Sequence, residues 1–289
     1  MSLTKTGPST AVLCRNAFDT AAARERCLNY RRRILDISQQ VTALHVAPAF
    51  SCTEIVDVIY HGLMRWKAPG ESPDVFLMSK GHGCMVQYVI LQEMGVLDQS
   101  DLDTYCTPEG RLGAHPDFGV PGISAATGSL GHGMGIATGM ALAERLCQRD
   151  GLIYLVLSDG ECQEGSTWEG ALMAANLNLE NLIAFVDMND FSGLERMSEA
   201  HPAFHPLLEK FQAFGWDGVE VDGHSSEALY NAIVDRPRSG RPFVVVSETV
   251  KGKGVSYMEH VPIWHYRSPS PEEYQQALDE LAEWAAAAS

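Results

Sequence analysis

The chain has 289 residues, 45% of them hydrophobic, and a formal net charge of −16 at pH 7. The hydrophobic share is sufficient for a full core, and the length suits one large α/β domain or two smaller ones. So acidic a chain is a poor candidate for binding nucleic acid, whose phosphates need a basic surface. An anionic substrate would have to be bound by local donors and cations.

The cysteine pattern and the N-terminal residues indicate a cytoplasmic protein. The seven cysteines include no C-x-x-C pair, which favours a reducing compartment over a disulfide framework. Residues 1–8 contain no apolar segment typical of a signal peptide. Because no apolar run approaches the ~20 residues needed to cross a bilayer, we expect no membrane-spanning helix.

The first half of the chain is predicted to be mainly helical. Apolar residues at helical spacing predict the helices, and one short apolar run predicts a buried strand. In chain order we expect a helix over 19–44, a helix over 53–66, a strand over 75–78, a helix ending near 94, a short helix capped by Asp98, a loop over 107–128 and a helix ending at 146. A loop as long as 107–128 is often functional.

Strands and helices alternate in the second half. The predicted strands are 152–157, 182–186, 218–221 and 242–247, and the predicted helices are 167–178, 204–214, 225–234 and 271–288. This alternation predicts a doubly wound α/β fold, with a mainly parallel sheet and helices on both faces. No linker-like change in composition divides the chain. We therefore expect a single domain over 1–289, with an extension at about 1–18 and a closing helix in 271–289.

Two polar residues mark the ends of neighbouring predicted strands. Asp159 follows the strand over 152–157, and Asn189 follows the strand over 182–186. Parallel strands joined by a helix bring their last residues to the same sheet edge, where ligands of open α/β sheets bind. Carboxylate and amide oxygens suit a hard cation such as Mg²⁺ or Ca²⁺. The alternative is an ordinary buried strand that ends in an Asp-Gly turn.

This spacing resembles the metal-diphosphate motif of thiamine diphosphate enzymes, which runs Gly-Asp-Gly and then, after a βαβ connection, Asn. Here the block begins with Ser158 in place of the first glycine. The resemblance implies that Asp159, Asn189 and the backbone carbonyl of Phe191 hold a metal ion. It implies thiamine diphosphate together with Mg²⁺ or Ca²⁺ as the cofactors.

Five blocks in the same order resemble transketolase. They are Ser79-Lys80-Gly81-His82-Gly83, Ala114-His115-Pro116-Asp117, Thr127-Gly128-Ser129-Leu130-Gly131, Asp159-Gly160-Glu161-Cys162-Gln163-Glu164-Gly165, and Lys251-Gly252-Lys253-Gly254 with Trp264-His265. The resemblance covers about residues 25 to 270 and is confined to the N-terminal, diphosphate-binding domain of that family. The chain is thus similar to the N-terminal subunit of a split transketolase.

The resemblance implies a set of cofactor-binding residues. Glycines permit close approach of the backbone to a ligand, and Gly128 and Leu130 correspond to backbone contacts with the pyrimidine region. The full implied set is His82, Gly128, Leu130, Asp159, Gly160, Glu161, Asn189 and His265. His132 stands where the family commonly has glutamine and is a further candidate polar contact.

The resemblance also implies catalytic residues. His45, His82, His115 and His265 correspond to histidines that line the substrate channel, and a neutral imidazole there can move protons or hydrogen-bond a sugar. Each could instead be an ordinary structural histidine. Glu164 corresponds to a glutamate that meets its counterpart across a dimer interface; the alternative is a helix N-terminal carboxylate favoured by the helix dipole.

Two segments depart from the family pattern. Residues 44–48 read Leu-His-Val-Ala-Pro where the family has Gly-His-Pro-Gly-Gly, and in the segment 190–195 Gly193 stands where the family usually has a large apolar residue at the cofactor wall. The resemblance nevertheless implies ketol transfer from a ketose to an aldose. It further implies a separate C-terminal subunit that supplies a pyrimidine-binding domain and the activating glutamate, in a heterotetramer with a homodimeric core. Two alternatives remain open: an α subunit of a 2-oxoacid dehydrogenase, and a non-catalytic cofactor-binding or interaction protein.

Overall fold

The structure is a computed structural model that describes residues 18–41 and 44–286. Its strands, in chain order, are β1 (Val75–Met78), β2 (Ile153–Ser158), β3 (Leu182–Met188), β4 (Phe191–Ser192), β5 (Glu195–Arg196), β6 (Asp217–Asp222) and β7 (Phe243–Glu248). Five of them form one sheet in the order β1-β2-β3-β7-β6, and every pair in that sheet is parallel. β4 and β5 form a small antiparallel hairpin.

The central strands are continuous apolar runs because both of their faces are covered. Every residue of β2 is buried, as are the first six residues of β3. The register pairs Ser158 with Asp187, and Asp187 with Ser247. The carboxyl ends of β2, β3 and β7 therefore lie side by side, and the residues that follow them share one edge.

Helices cover both faces of the sheet. In chain order they are α1 (Thr20–Ser38), α2 (Val46–Ser51), α3 (Thr53–Asp57), α4 (Cys84–Glu93), α5 (Gln99–Asp103), α6 (Gly133–Leu146), α7 (Gly165–Asn176), α8 (Met197–Ala200), α9 (Leu207–Ala213), α10 (Ser226–Val234) and α11 (Pro271–Ala286). Alternate residues of each strand serve different cores. Tyr154 and Val156 pack with α1, α3, α4 and α10, whereas Leu155 and Leu157 pack with α6, α7 and α9.

This arrangement confirms the predicted doubly wound α/β fold. The predicted loop over 107–128 contains no helix or strand, and Asp98 caps α5 as predicted. No described helix is long and apolar enough to cross a membrane. Residues 1–17, which make up nearly all of the predicted N-terminal extension, lie outside the described residues, as do 42–43 and 287–289.

Four predicted helices differ from the observed ones in their boundaries. The helix predicted over 167–178 lies two residues earlier, at Gly165–Asn176. The helix predicted over 19–44 ends at Ser38, and beyond it the carbonyl of Val41 accepts a hydrogen bond from Ser268 instead of from a helical N–H. The helix predicted over 53–66 continues from Asp57 as a π-helical segment, Val58–Leu63, and stops there. In the helix predicted over 204–214, Pro206 precedes the first turn, so α9 begins only at Leu207.

Candidate active site

Polar residues accumulate at the carboxyl edge of the sheet. Lys80 lies just past β1, Asp159 follows β2, Asn189 follows β3, and Lys251 follows β7. All four are buried, with exposed fractions of 4% or less. Ligands of open α/β sheets bind at this edge, so the fold places a concentrated set of charges where a ligand would enter.

Asp159, Asn189 and Phe191 present oxygen atoms to one small region. The Oδ1 of Asp159 accepts from the N–H of Gly160 at 2.8 Å, and its Oδ2 accepts from the N–H of Asp190 at 2.6 Å. The Oδ1 of Asn189 accepts from the N–H of Phe191 at 3.1 Å. A Cβ at Gly160 would lie 3.1 Å from the carbonyl oxygen of Phe191. The carboxylate, the amide and the carbonyl therefore surround the turn at Gly160.

The chemistry of this set fits a hard divalent cation. Burial and the neighbouring charge of Asp187 raise the pKa of Asp159 to about 7, and a bound cation would offset both effects. Oxygen donors are what Mg²⁺ and Ca²⁺ prefer. Across residues 18–41 and 44–286, no group of three or more His, Cys, Asp or Glu side chains could hold a metal ion. The oxygen set described above contains only one such side chain, that of Asp159. Its other two members are the amide of Asn189 and the carbonyl of Phe191.

Asp187 orients the amide of Asn189. Its carboxylate accepts from the hydroxyl of Ser51 at 2.6 Å and from the Nδ2 of Asn189 at 3.1 Å. It also accepts from the Nζ of Lys80 and the hydroxyl of Thr249. Since a carboxylate only accepts hydrogen bonds, the Nδ2 of Asn189 must face Asp187. The Oδ1 then faces the turn of Asp159 and Phe191.

Four histidines that sequence reasoning selected lie together beside this edge. The ring centroid of His45 is 5.8 Å from that of His82, 5.5 Å from that of His115 and 5.6 Å from that of His265. His82 and His265 are 5.4 Å apart. They arrive from the start of α2, the 3₁₀ turn after β1, the loop over 107–128 and the 3₁₀ helix Pro262–Tyr266. We call these four residues the histidine cluster.

The histidine cluster is neutral at physiological pH. Burial, reinforced by nearby positive charge, lowers the pKa of His45 to about 4 and that of His265 to about 3. The same causes hold the pKa of His82 well below its ordinary value, and burial lowers the pKa of His115. A neutral imidazole has one donor and one acceptor nitrogen. The cluster can therefore hydrogen-bond polyhydroxylated ligands and pass protons among them.

Lys251 is a site residue that the sequence reasoning missed. Its Nζ lies 2.8 Å from the Nδ1 of His265, 3.4 Å from the carbonyl of Gly193 and 5.1 Å from the ring centroid of Phe191. Burial and the charge of Lys80 lower its pKa to about 7. The available signal was its place in the Lys251-Gly252-Lys253-Gly254 block, directly after a buried strand. Lys251 has no carboxylate among its hydrogen-bond partners within the described residues. An anionic ligand beside it would therefore favour its charged form.

His224 supports the turn that carries Lys251 through two hydrogen bonds. The Nε2 of His224 accepts from the N–H of Val250 at 2.8 Å, which leaves Nδ1 to donate to Glu54 at 3.0 Å. Glu54 also accepts two hydrogen bonds from the buried guanidinium of Arg31. These contacts give His224 a structural role in supporting the turn.

The glycine-rich loop over 127–135 lies against the histidine cluster. Gly128 has φ +117°, and a Cβ there would lie 2.8 Å from ring atoms of His115. The glycine therefore permits a close approach that other residues could not make. His132, which the sequence suggested as a polar contact, is exposed, and its Nδ1 lies 3.1 Å from the carbonyl oxygen of Leu130.

The two glutamates of the Asp159–Gly165 block occupy different environments. Glu161 is fully buried, and its Oε1 accepts from the N–H of Gly131 at 2.9 Å and from the hydroxyl of Ser79. It therefore ties the glycine-rich loop to the end of β1. Glu164 is exposed at the N-cap of α7 and lies outside the histidine cluster. A Cβ at Gly131 would lie 2.5 Å from the Cβ of Glu164.

Fold and site together define a doubly wound α/β domain whose carboxyl sheet edge carries buried charged residues beside a histidine cluster. Residues 23–266 match the family model described as transketolase, thiamine diphosphate binding domain. The chain belongs to the transketolase family. This confirms the resemblance drawn from the five sequence blocks.

Relatives differ in how much of their length the chain covers. An apulose-4-phosphate transketolase subunit of Phocaeicola vulgatus is 34% identical over 258 residues, which cover 88% of this chain and 91% of that protein. The 6-deoxy-6-sulfo-D-fructose transketolase subunit SqwG of Clostridium sp. is 35% identical over 242 residues, 82% of this chain and 88% of that one. The transketolase of Leishmania mexicana superposes with a TM-score of 0.83 at 26% identity, over 90% of this chain and 41% of that one. The chain thus spans about two fifths of the solved transketolase.

Proposed function

We propose that this chain is the thiamine diphosphate-binding subunit of a two-component transketolase, which transfers a two-carbon ketol unit from a ketose to an aldose. The observation that carries the proposal is the position of the oxygen set of Asp159, Asn189 and Phe191 on the same sheet edge as Lys251 and the histidine cluster. Two relatives named as transketolase subunits, whose lengths the chain nearly spans, support the two-component assembly.

The sheet edge offers complementary groups for a metal-bound diphosphate. Asp159, Asn189 and the carbonyl of Phe191 would hold Mg²⁺ or Ca²⁺, and the ammonium of Lys251 would counter the remaining phosphate charge. Gly128, Leu130 and the glycine at 160 would allow the backbone to approach the rest of the cofactor. When bound, thiamine diphosphate would supply the electron sink for breaking and forming the carbon–carbon bond.

The histidine cluster would handle the sugar. His82 and His265 lie on the inner side, next to Lys251, and would donate or accept protons at the hydroxyl and carbonyl oxygens of the reacting carbons. His45 lies between this pair and the exposed His115, and both would hydrogen-bond hydroxyls further along the sugar chain. All four rings are neutral, so each has one donor and one acceptor nitrogen. In His265 the Nδ1 already lies 2.8 Å from the Nζ of Lys251, which leaves its Nε2 for the sugar.

A partner subunit would complete the site. Apolar side chains are exposed around the histidine cluster: Leu194 in the hairpin of β4 and β5, and Val261 and Ile263 near His265. A contact between the Nη2 of Arg196 and the carbonyl of His260, at 3.4 Å, joins the two segments that carry them. The partner would cover this surface and supply the pyrimidine-binding domain and the glutamate that activates the cofactor. Two copies of the present chain would form the core of a heterotetramer, with Glu164 at their interface.

The test is an activity assay on the purified chain, alone and co-expressed with a candidate C-terminal subunit. We expect no ketol transfer by the chain alone, because a one-sided site leaves the cofactor exposed to water, and turnover by the complex. Full turnover by the chain alone would refute the two-component proposal. Oxidative decarboxylation of a 2-oxoacid by the complex would instead identify a dehydrogenase subunit. Tight complex formation without turnover would identify a non-catalytic protein.

A further inference from the structure

An exposed tyrosine lies directly beside the histidine cluster. The ring centroid of Tyr266 is 4.6 Å from that of His45, closer than any other ring that contacts His45, and the two planes are tilted by 49°. The residue is 53% exposed. Within the described part of the chain, no hydrogen bond to its hydroxyl is found. The sequence reasoning did not select it, because it belongs to none of the five family blocks.

The position of Tyr266 is set by its neighbours and not by its own packing. It ends the 3₁₀ helix Pro262–Tyr266, which Trp264 anchors. Trp264 is buried, its ring lies 4.9 Å from that of Tyr257, and the guanidinium of Arg267 lies 4.2 Å from its centroid. A large aromatic side chain held in solvent by a well-anchored backbone contributes little to the core. Its proximity to His45 therefore suggests a role in binding.

The site has an inner and an outer layer. Lys251, His82 and His265 form the inner layer at the sheet edge, whereas His115 and Tyr266 are exposed and each contacts the ring of His45. A sugar whose carbonyl end reaches the inner layer would pass its remaining carbons between the outer residues. A phenol ring can pack on the C–H face of a sugar and hydrogen-bond its hydroxyls.

We propose that Tyr266 is a specificity-determining residue that contacts the substrate carbons remote from the reacting carbonyl. It would favour aldoses of four or more carbons over the shortest aldehydes. This inference rests on the proposed ketol-transfer function. It requires no change in the chemical step, because the tyrosine touches only the part of the sugar that does not react.

The test compares Tyr266→Ala and Tyr266→Phe in the complete complex with acceptors of increasing length: glycolaldehyde, glyceraldehyde, erythrose and ribose. We expect Tyr266→Ala to lower kcat/KM roughly 10-fold or more for erythrose and ribose, the range set by loss of one contact in a pocket, and to leave glycolaldehyde within about twofold. For erythrose and ribose, kcat/KM of Tyr266→Phe should lie between those of the wild type and Tyr266→Ala, because this variant loses only the hydroxyl. Tyr274→Ala, which removes a tyrosine on α11 that bonds Asp36, is the matched control and should not change the length dependence.

Two results would overturn the proposal. An equal loss for all four acceptors would indicate that Tyr266 acts on the chemical step or on His45, and no loss for any would exclude contact. A binding measurement separates this failure from failure of the proposed function. Saturation-transfer NMR of the wild-type and Tyr266→Ala complexes with ribose requires no turnover. Reduced transfer to the C3–C5 protons in the variant supports the contact even without activity, and equal or absent transfer refutes it.

Discussion

Lys80 and Asp187 form an ion pair whose side chains are both fully buried beneath the carboxyl edge of the sheet. Burial alone would raise the pKa of Asp187, but the ammonium of Lys80 and the hydroxyls of Ser51 and Thr249 hold that pKa below its ordinary value. Both groups therefore stay charged. The pair lies directly under the Asn189 amide that it orients.

Removing one member of this pair should destabilise the protein. Lys80→Met leaves an uncompensated carboxylate in the core, and we expect the free energy of unfolding to fall by about 3–5 kcal/mol. Urea denaturation of the purified chain measures this loss of stability. Lys253→Met, which removes a half-buried lysine 3.8 Å from Glu259, is the control and should cost about 1 kcal/mol or less. If the double variant Lys80→Met/Asp187→Asn is as unstable as the sum of the single variants, the two charges are not coupled.

Asp159→Ala and Asn189→Ala should each abolish metal-dependent cofactor binding. Each variant removes an oxygen ligand from a three-ligand set, and a hard cation requires oxygen ligands. Isothermal titration with thiamine diphosphate and Mg²⁺, in the presence of the partner subunit, measures the loss. Asn176→Ala at the exposed end of α7 is the control. Unchanged affinity in both site variants would refute the assignment.

His82→Ala and His265→Ala should reduce activity far more than stability. Both rings line the histidine cluster at the sheet edge, and we expect rate losses on the order of 10²-fold or more if either transfers protons. The comparison needs kcat of the complex and the melting temperature of each variant. His201→Ala, an exposed residue outside the cluster, should change neither. A large fall in melting temperature, with normal specific activity in the fraction that remains folded, would show that these histidines are structural.

Acid should destabilise the protein partly through His45. Burial, with His115 and Lys251 nearby, lowers its pKa to about 4 in the folded chain, against about 6.5 when unfolded. The unfolded state therefore binds more protons between these values, so the stability present above pH 6.5 is lost progressively as the pH falls towards 4. Urea denaturation from pH 7.5 to 5 should show this slope.

The variant His45→Gln should reduce the change of the free energy of unfolding with pH by the contribution of one titrating group. His61, whose pKa burial and Arg26 also lower to about 4, provides a matched comparison outside the cluster. His61→Gln should reduce the slope by a similar amount, and the two effects should add because the two side chains interact with different neighbours. An unchanged slope in His45→Gln would show that the ring is not held neutral by its surroundings.

The strand predictions succeeded where local pattern and tertiary environment agree. β2 and β3 are uninterrupted apolar runs, and a run that long bounded by turn residues is typical of a buried parallel strand. Helix boundaries were less predictable. The apolar pattern continues past Ser38 and through Val58–Leu63, yet α1 ends at Ser38 and Val58–Leu63 is π-helical. Beyond α1, the carbonyl of Val41 accepts a hydrogen bond from Ser268, a residue far away in the sequence.

The residues of the candidate site also differ in how far the sequence could predict them. Asp159 and Asn189 could be placed on one edge because their strands are consecutive, so chain connectivity alone makes them neighbours. The histidines were selected by resemblance to a family, since nothing in their spacing brings residues 45, 82, 115 and 265 together. Lys251 was missed, although its block was noted, because its place beside His265 depends on how two turns pack.

The sequence alone determined the alternation of strands and helices, and with it the sheet edge at which a ligand would bind, because these follow from short-range periodicity and chain connectivity. Only the tertiary structure decided which charges are buried and what they contact. The pairing of Lys80 with Asp187, the neutral state of the histidine cluster and the position of Tyr266 against His45 all arise between segments far apart in the chain. Burial and long-range contact set them, and neither has a local signature in the sequence.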